Sequence, residues 1–260
     1  MTTFNRRNVP FTGGAAFVAA LLFGASAFAD DAVLRERIEA RLAKAGLPER
    51  GQIEVAVKDG AALLSGFTLT LDAQRAAEKA ARKETKTVEN LIRVMPGKKR
   101  ADDEVRKAVA KAILRDPTYG VFDSVGVGVE QGKVVLQGSV RQPWRKDDLD
   151  RQVARVPGVR EITNEIRVQP TSIHDDRLRV ELYRKIYGST LFERYRSFPD
   201  PPIRIIVENG NVTQTGMVNS KVEQVVLGSI ASGTLSFKVD NQVQVESDIR
   251  KEPAGKTTEG

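Results

Sequence analysis

Apolar residues recur along this chain in three copies of one gapped pattern. The first copy is Ile53-x-Val55-x-Val57-x-x-Gly60-x-Ala62-x-Leu64-x-Gly66. The second is Val125-x-Val127-x-Val129-x-x-Gly132-x-Val134-x-Leu136-x-Gly138. The third is Ile203-x-Ile205-x-Val207-x-x-Gly210-x-Val212-x-Gln214-x-Gly216. Further along each copy comes a second signature: Val88-x-Asn90-x-Ile92-x-Val94, Ile162-x-Asn164-x-Ile166-x-Val168 and Val239-x-Asn241-x-Val243-x-Val245. Two gapped patterns repeating in the same order define three tandem units.

Alternation of period two predicts strands with one buried face. Asp59-Gly60 and Asn209-Gly210 are strong two-residue hairpin turns, and Gln131-Gly132 is a weaker one, because both central positions must take positive φ. A two-residue turn pairs Lys58 with Ala61. Val57 then faces Ala62, Val55 faces Leu64 and Ile53 faces Gly66, so the apolar residues share one face. The second glycine of each copy is expected to leave room for close approach of a helix.

Helical spacing flanks each hairpin. Before it come Leu34, Ile38 and Leu42, then Val105, Val109 and Ile113, then Leu178, Leu182 and Ile186. Each set follows an aspartate pair (Asp30-Asp31, Asp102-Asp103, Asp175-Asp176) whose expected role is helix capping. A second helix is predicted after each hairpin, on Ala73, Ala76, Ala77 and Ala80, on Leu149, Val153 and Val156, and on Val222, Val225 and Val226. The predicted fold is α+β. It consists of three tandem α-β-β-α-β units, each a three-stranded mixed sheet with two helices on one face. A helical crossover lets the third strand lie parallel to the second. Units of this size bury only about 60% of their chain surface and are marginal alone, so short linkers favour packing between them.

Composition narrows the chemistry. The 260 residues include no cysteine, one histidine (His174) and one tryptophan (Trp144). That excludes disulfides, thiolate metal sites and multi-histidine cages, and no catalytic constellation, cofactor site or metal site is expected. At the N-terminus, Arg6-Arg7 precedes an uncharged run that ends at Ala27-Phe28-Ala29, as a secretory signal cut after Ala29 would. The expected division is a signal segment 1–29, units 30–97, 98–170 and 171–249, and a polar tail 250–260. Beyond the signal, 39 basic and 34 acidic residues leave +5, of which the middle unit carries +4. This excess is too modest to call for nucleic acid as a partner.

The alternating strand, the turn glycine (Gly60, Gly132, Gly210), the second glycine (Gly66, Gly138, Gly216) and the valine-or-isoleucine-x-asparagine strand (Asn90, Asn164, Asn241) resemble the BON domain. This is a module of bacterial periplasmic and secreted proteins of the osmotically inducible type. Arg115-Asp116-Pro117 and Val156-Pro157-Gly158-Val159 also resemble the family pattern. Unit three departs from it at Gln214 and at Ser232-Gly233-Thr234. The resemblance implies an envelope location and a non-enzymatic binding role, linked to phospholipid contact, envelope integrity, osmotic-stress response, chaperone-like activity or, in one branch, potassium binding.

Candidate contacts with an anionic phospholipid surface are Arg141, Trp144, Arg145 and Lys146 in unit two, and Phe192, Arg194, Tyr195 and Arg196 in unit three. Aromatic residues interleaved with cations suit a headgroup region. They equally suit a loop folded back on its own core. The asparagines fit either ligand contact or local satisfaction of backbone groups. His174 reads as an exposed residue near a helix cap or as a cation contact. The leading expectation is therefore an envelope protein contacting anionic phospholipid. A chaperone-like or protein-interaction module, using exposed sheet edges, and a cation sensor are the alternatives.

Overall fold

The computed structural model describes residues 25–249 except Lys99 and Pro199. The predicted signal segment up to residue 24 and the predicted tail from residue 250 lie outside the described residues. Unit one contains α1 (Ala25–Lys44), β1 (Gly51–Lys58), β2 (Ala61–Thr68), α2 (Leu71–Ala81), β3 (Val88–Asn90) and β4 (Arg93–Val94). Unit two contains α3 (Asp102–Leu114), β5 (Ser124–Glu130), β6 (Lys133–Val140), α4 (Pro143–Ala154) and β7 (Glu161–Val168). Unit three contains α5 (Ile173–Tyr187), α6 (Glu193–Arg196), β8 (Ile203–Glu208), β9 (Asn211–Val218), α7 (Lys221–Ser232), β10 (Lys238–Asn241), β11 (Gln244–Val245) and α8 (Glu246–Ile249).

Each unit builds one mixed sheet around its second strand. That strand runs antiparallel to the first and parallel to the third. The predicted register holds, with Lys58 opposite Ala61, Val57 opposite Ala62, Val55 opposite Leu64 and Ile53 opposite Gly66. Asp59, Gln131 and Asn209 all have φ near +50°, and the glycine after each also has positive φ. The inward row of each sheet packs on its helices. In unit one, Val55, Ala62 and Leu64 share a buried cluster with Ile38, Leu42, Ala73 and Ala77.

The third strand is continuous only in unit two. In units one and three it breaks just after the repeated asparagine, giving β3/β4 and β10/β11. The asparagine does the same work in all three. Its Oδ1 accepts the amide two residues on, from Ile92 (3.1 Å), Ile166 (3.2 Å) and Val243 (3.3 Å). Its Nδ2 reaches the second helix, donating to Glu78 Oε2, to the Lys146 carbonyl or to the Gln224 carbonyl. The residue thus pins the last strand to the helix that precedes it.

Two expectations are corrected. The second glycines make no room for a helix. Gly66, Gly138 and Gly216 have φ of +101°, +124° and +116°. A Cβ on any of them would run into a backbone carbonyl oxygen at the paired first strand, that of Gln52, Ser124 or Pro202. The aspartates, likewise, do not cap their own helices. Asp31 accepts the turn amides of Asp59 and Gly60 (2.8 and 2.9 Å). Asp102 accepts those of Gln131 and Gly132 (2.7 and 3.0 Å), and Asp175 those of Asn209 and Gly210 (2.9 and 2.7 Å). An I′-type turn points two amides outward, and one carboxylate from the first helix satisfies both, clipping that helix to its hairpin.

The units pack on one another. Leu71 and Val94 of unit one join the core of unit two. Arg75 on α2 pairs with Asp150 on α4. Between units two and three, the loop from Tyr119 to Asp123 lies along β8, and Val121 enters the core of unit three. The Ile205 amide donates to the Val121 carbonyl (2.7 Å), and Arg204 stacks on the Tyr119 ring while donating to the Gly120 carbonyl.

The core of unit three carries one polar substitution. Gln214 stands where units one and two have Leu64 and Leu136; it is fully buried, and neither amide atom has a hydrogen-bond partner among the described residues. Replacing it with the leucine of its sister units, Gln214→Leu, is expected to raise stability by about 2 kcal/mol, since an unpaired buried amide costs about 1–3 kcal/mol. Urea unfolding of the two proteins measures this, and an unchanged or lower midpoint would refute it.

Candidate interaction surfaces

Asp123 organises the start of α4. Its carboxylate accepts the amides of Arg141 (2.8 Å) and Gly120 (3.0 Å) and pairs with Arg145 at 3.3 Å. Arg145 is consequently buried, 8% exposed, and its predicted membrane contact is corrected: its charge is spent inside the unit, against an aspartate that holds the inter-unit loop. Trp144 is 47% exposed, with the Arg145 guanidinium 5.2 Å from its ring centre. Lys146 is half-buried, and Arg141 is exposed and pairs with Asp176 of α5 at 3.1 Å.

The aromatic loop of unit three folds inward. Phe192 and Tyr195 are buried in the core of their own unit, which corrects their reading as membrane contacts. The Tyr195 hydroxyl donates to Glu223 Oε2 (2.8 Å) and accepts the Asn219 amide (2.9 Å). Glu223 also closes a capping box with Ser220 at the start of α7, so the loop is latched to a helix end. Arg194 lies over the Tyr195 ring and pairs with Glu223, and Arg196 pairs with Glu193 at 3.7 Å; both arginines keep exposed side chains. His174 is exposed on α5 and stacks on Phe237.

Several titratable groups serve the junction loop. Burial pushes the Asp116 carboxyl up, but hydrogen bonds from Thr118 and Gln152 outweigh it and leave the group below the ordinary aspartate range. Burial raises the Tyr119 hydroxyl, which accepts the Val125 amide at 2.9 Å, and raises Tyr187, which donates to the Ile203 carbonyl. These are structural tasks. Among the described residues, no group of three or more histidines, aspartates or glutamates is placed to hold a metal ion, and no helix is long and apolar enough to cross a membrane.

Two of the open surfaces among the described residues bear on binding. On α5 the exposed side carries Ile173 (75% exposed) and Val180 beside Arg177, Arg184 and Lys185. The Arg141–Asp176 pair joins the first turn of this helix to the segment that leads into Trp144. The second open surface is the solvent face of the unit-two sheet, where β5 presents Gly126 and Gly128. The sequence shows this pair as alternating glycines at solvent parity, a feature that units one and three do not share.

The BON domain family model matches residues 30–96, 101–170 and 188–247. The chain belongs to the BON domain family, with three tandem copies, and that family is one of envelope-associated, non-enzymatic binding modules. No curated protein matches it in sequence. Among solved structures, it is similar at 14% identity to the C-terminal domain of CdsD, a structural protein of the type III secretion system of Chlamydia trachomatis, covering 82% of this chain and 96% of that one with a TM-score of 0.24. It is also similar at 16% identity to the periplasmic domain of the S.typhimurium type III secretion inner-membrane protein PrgH, covering 77% and 95% with a TM-score of 0.19.

Proposed function

We propose that this chain is a non-enzymatic periplasmic protein that contacts anionic phospholipid surfaces in envelope maintenance or osmotic-stress response. The observation that carries this reading is the exposed side of α5. There Ile173 and Val180 stand beside Arg177 and Arg184, with Lys185 paired to Glu181 at 2.7 Å, next to the start of α4 with its exposed Trp144. Aliphatic residues that enter a headgroup layer, flanked by cations that meet its phosphates, are the chemistry such a surface selects. Arg177 and Arg184 have no ion-pair partner among the described residues, so their charge is available to a ligand. The surface therefore centres on unit three rather than on the buried Arg145.

Co-flotation of the chain from residue 30 with phosphatidylglycerol-containing vesicles tests this. Binding is expected with anionic vesicles only and falls as salt rises, because exposed charges are screened beyond about 10 Å at 0.1 M. The double variant Arg177→Ala, Arg184→Ala is expected to weaken binding by about 2 kcal/mol, roughly 30-fold. Equal flotation of variant and parent, or none in any mixture, would overturn the reading.

A further inference from the structure

The outer edge of β5 has an occupied counterpart within the same molecule. A two-residue turn makes Glu130 and Lys133 a hydrogen-bonded pair, so Gly128 and Gly126 also direct their backbone groups toward β6. The amides and carbonyls of Val127 and Val129 therefore point away from the sheet. The same parity in β8 turns Ile205 and Val207 outward. There the Ile205 amide is taken by the Val121 carbonyl, and the Val207 carbonyl accepts from Arg179. The edge strand of unit three is accordingly buried along its whole inward row, whereas Val125, Val127 and Val129 stay partly exposed. In β5 only the Val125 amide is taken, by the Tyr119 hydroxyl; Val127 and Val129 meet no partner beyond their own sheet among the described residues.

The glycines on β5 have no role in the fold. Gly126 and Gly128 lack the positive φ that would require glycine. An added Cβ would make ordinary contacts, 3.8 Å from the Gln137 carbonyl oxygen and 3.9 Å from the Val135 Cβ. Glycine weakens a strand interior, and in strands it marks places where another backbone comes close. The matching positions are Glu54 and Ala56 in unit one, and Arg204 and Ile206 in unit three. Only unit two presents a strip without side chains. Glu130, Lys133 and Glu161 rim it; Lys133 pairs with Glu161 at 2.9 Å, which leaves the rim one net negative charge at Glu130.

We propose that β5 of unit two is a docking edge for an extended, neutral-to-basic segment of another polypeptide, which adds as a strand beside Val127 and Val129 and closes its solvent-side side chains over Gly126 and Gly128. The Val121 segment on β8 shows how a segment is held at such an edge: one backbone hydrogen bond to an outward amide, together with burial of a side chain in the adjoining core. This surface is separate from the α5 face, and neither reading depends on the other.

The test uses the chain from residue 30 and, as probe, reduced and carboxamidomethylated ribonuclease A, a basic polypeptide that stays unfolded. Residue-resolved amide exchange is recorded with and without the probe. Exchange at Val127 and Val129 is expected to slow at least ten-fold at saturation. The double variant Gly126→Thr, Gly128→Thr is expected to melt at the same or a higher temperature and to bind at least ten-fold more weakly. Unchanged exchange at both valines would overturn the proposal, as would full binding by the double variant. Slowing caused by phosphatidylglycerol vesicles and not by the probe would also overturn it, by assigning the edge to lipid.

Discussion

Gly138→Ala is expected to destabilise unit two severely. Gly138 has φ of +124°, a conformation that L residues rarely adopt, and the new methyl would press on the Ser124 carbonyl oxygen, part of the backbone that pairs with β6. Neither partner has a flexible end that can give way. Relief would need the β5–β6 ladder to separate at its start, next to the loop that docks on unit three. The expected loss is about 4 kcal/mol or more, in the range reserved for strain and overpacking at special backbone positions. Domain stabilities are about 5–15 kcal/mol, so the loss takes much of what holds the unit. Gly126→Ala, on the same sheet, where a new methyl meets only an ordinary contact at 3.8 Å and φ is not positive, is the control and is expected to be neutral or stabilising. Thermal unfolding by circular dichroism distinguishes them; similar melting of both variants would show that the constraint at Gly138 is imaginary.

That contrast between two glycines shows what the sequence could and could not convey. The hairpin register was legible because a two-residue turn and a period of two leave one solution that puts Val55, Val57, Ala62 and Leu64 on the same face. The turn glycine was legible for the same reason. The second glycine was visible as a repeat, but its cause lay in the backbone of the paired strand, which no spacing displays. The aspartates failed similarly. Their place before a helix suggested a cap, while their true partners are turn amides 28–35 residues away. An aspartate does precede every turn glycine, but at 29, 30 and 35 residues, and local rules for helix ends are stronger than any rule for so variable a distance.

The surface residues were harder still. Arg145 and Tyr195 read as membrane contacts because their neighbours in sequence are aromatic and basic. Their neighbours in space are Asp123 and Glu223, and a buried carboxylate draws in the group that satisfies it. Trp144 has no such partner in the core and stays exposed. For Arg145 and Tyr195, burial follows carboxylates supplied by distant segments; for Phe192 it follows the apolar core of unit three.

The second large effect is expected at the junction of units two and three. Arg179 is almost fully buried and donates from Nη1 to Asp176 (2.7 Å), and from Nη2 to Gln169 Oε1 (2.9 Å) and the Val207 carbonyl (2.5 Å). Gln169 in turn donates to the Phe122 carbonyl (2.7 Å), so a single guanidinium ties the end of unit two, the first helix of unit three and the edge of β8 to the docking loop. Arg179→Met keeps the bulk of the stem but leaves the Gln169 and Val207 oxygens buried without that donor. Hydrogen bonds to charged groups contribute about 1.5–3 kcal/mol each, and removing one partner of a buried set costs about 3–5 kcal/mol. A loss of about 3 kcal/mol is expected, or a fall in Tm of roughly 6–12 °C for a chain of this size. Arg141→Ala, which removes an exposed pair to the same Asp176, is expected to cost under about 1 kcal/mol. Because units of this size are marginal alone, loss of the buried tie should also split a single urea transition into two, with unit three separating from units one and two. A single transition with an equal loss in both variants would place the strength of the junction in its charge pattern, whereas the expected difference places it in the buried donors that β8 and Gln169 cannot replace.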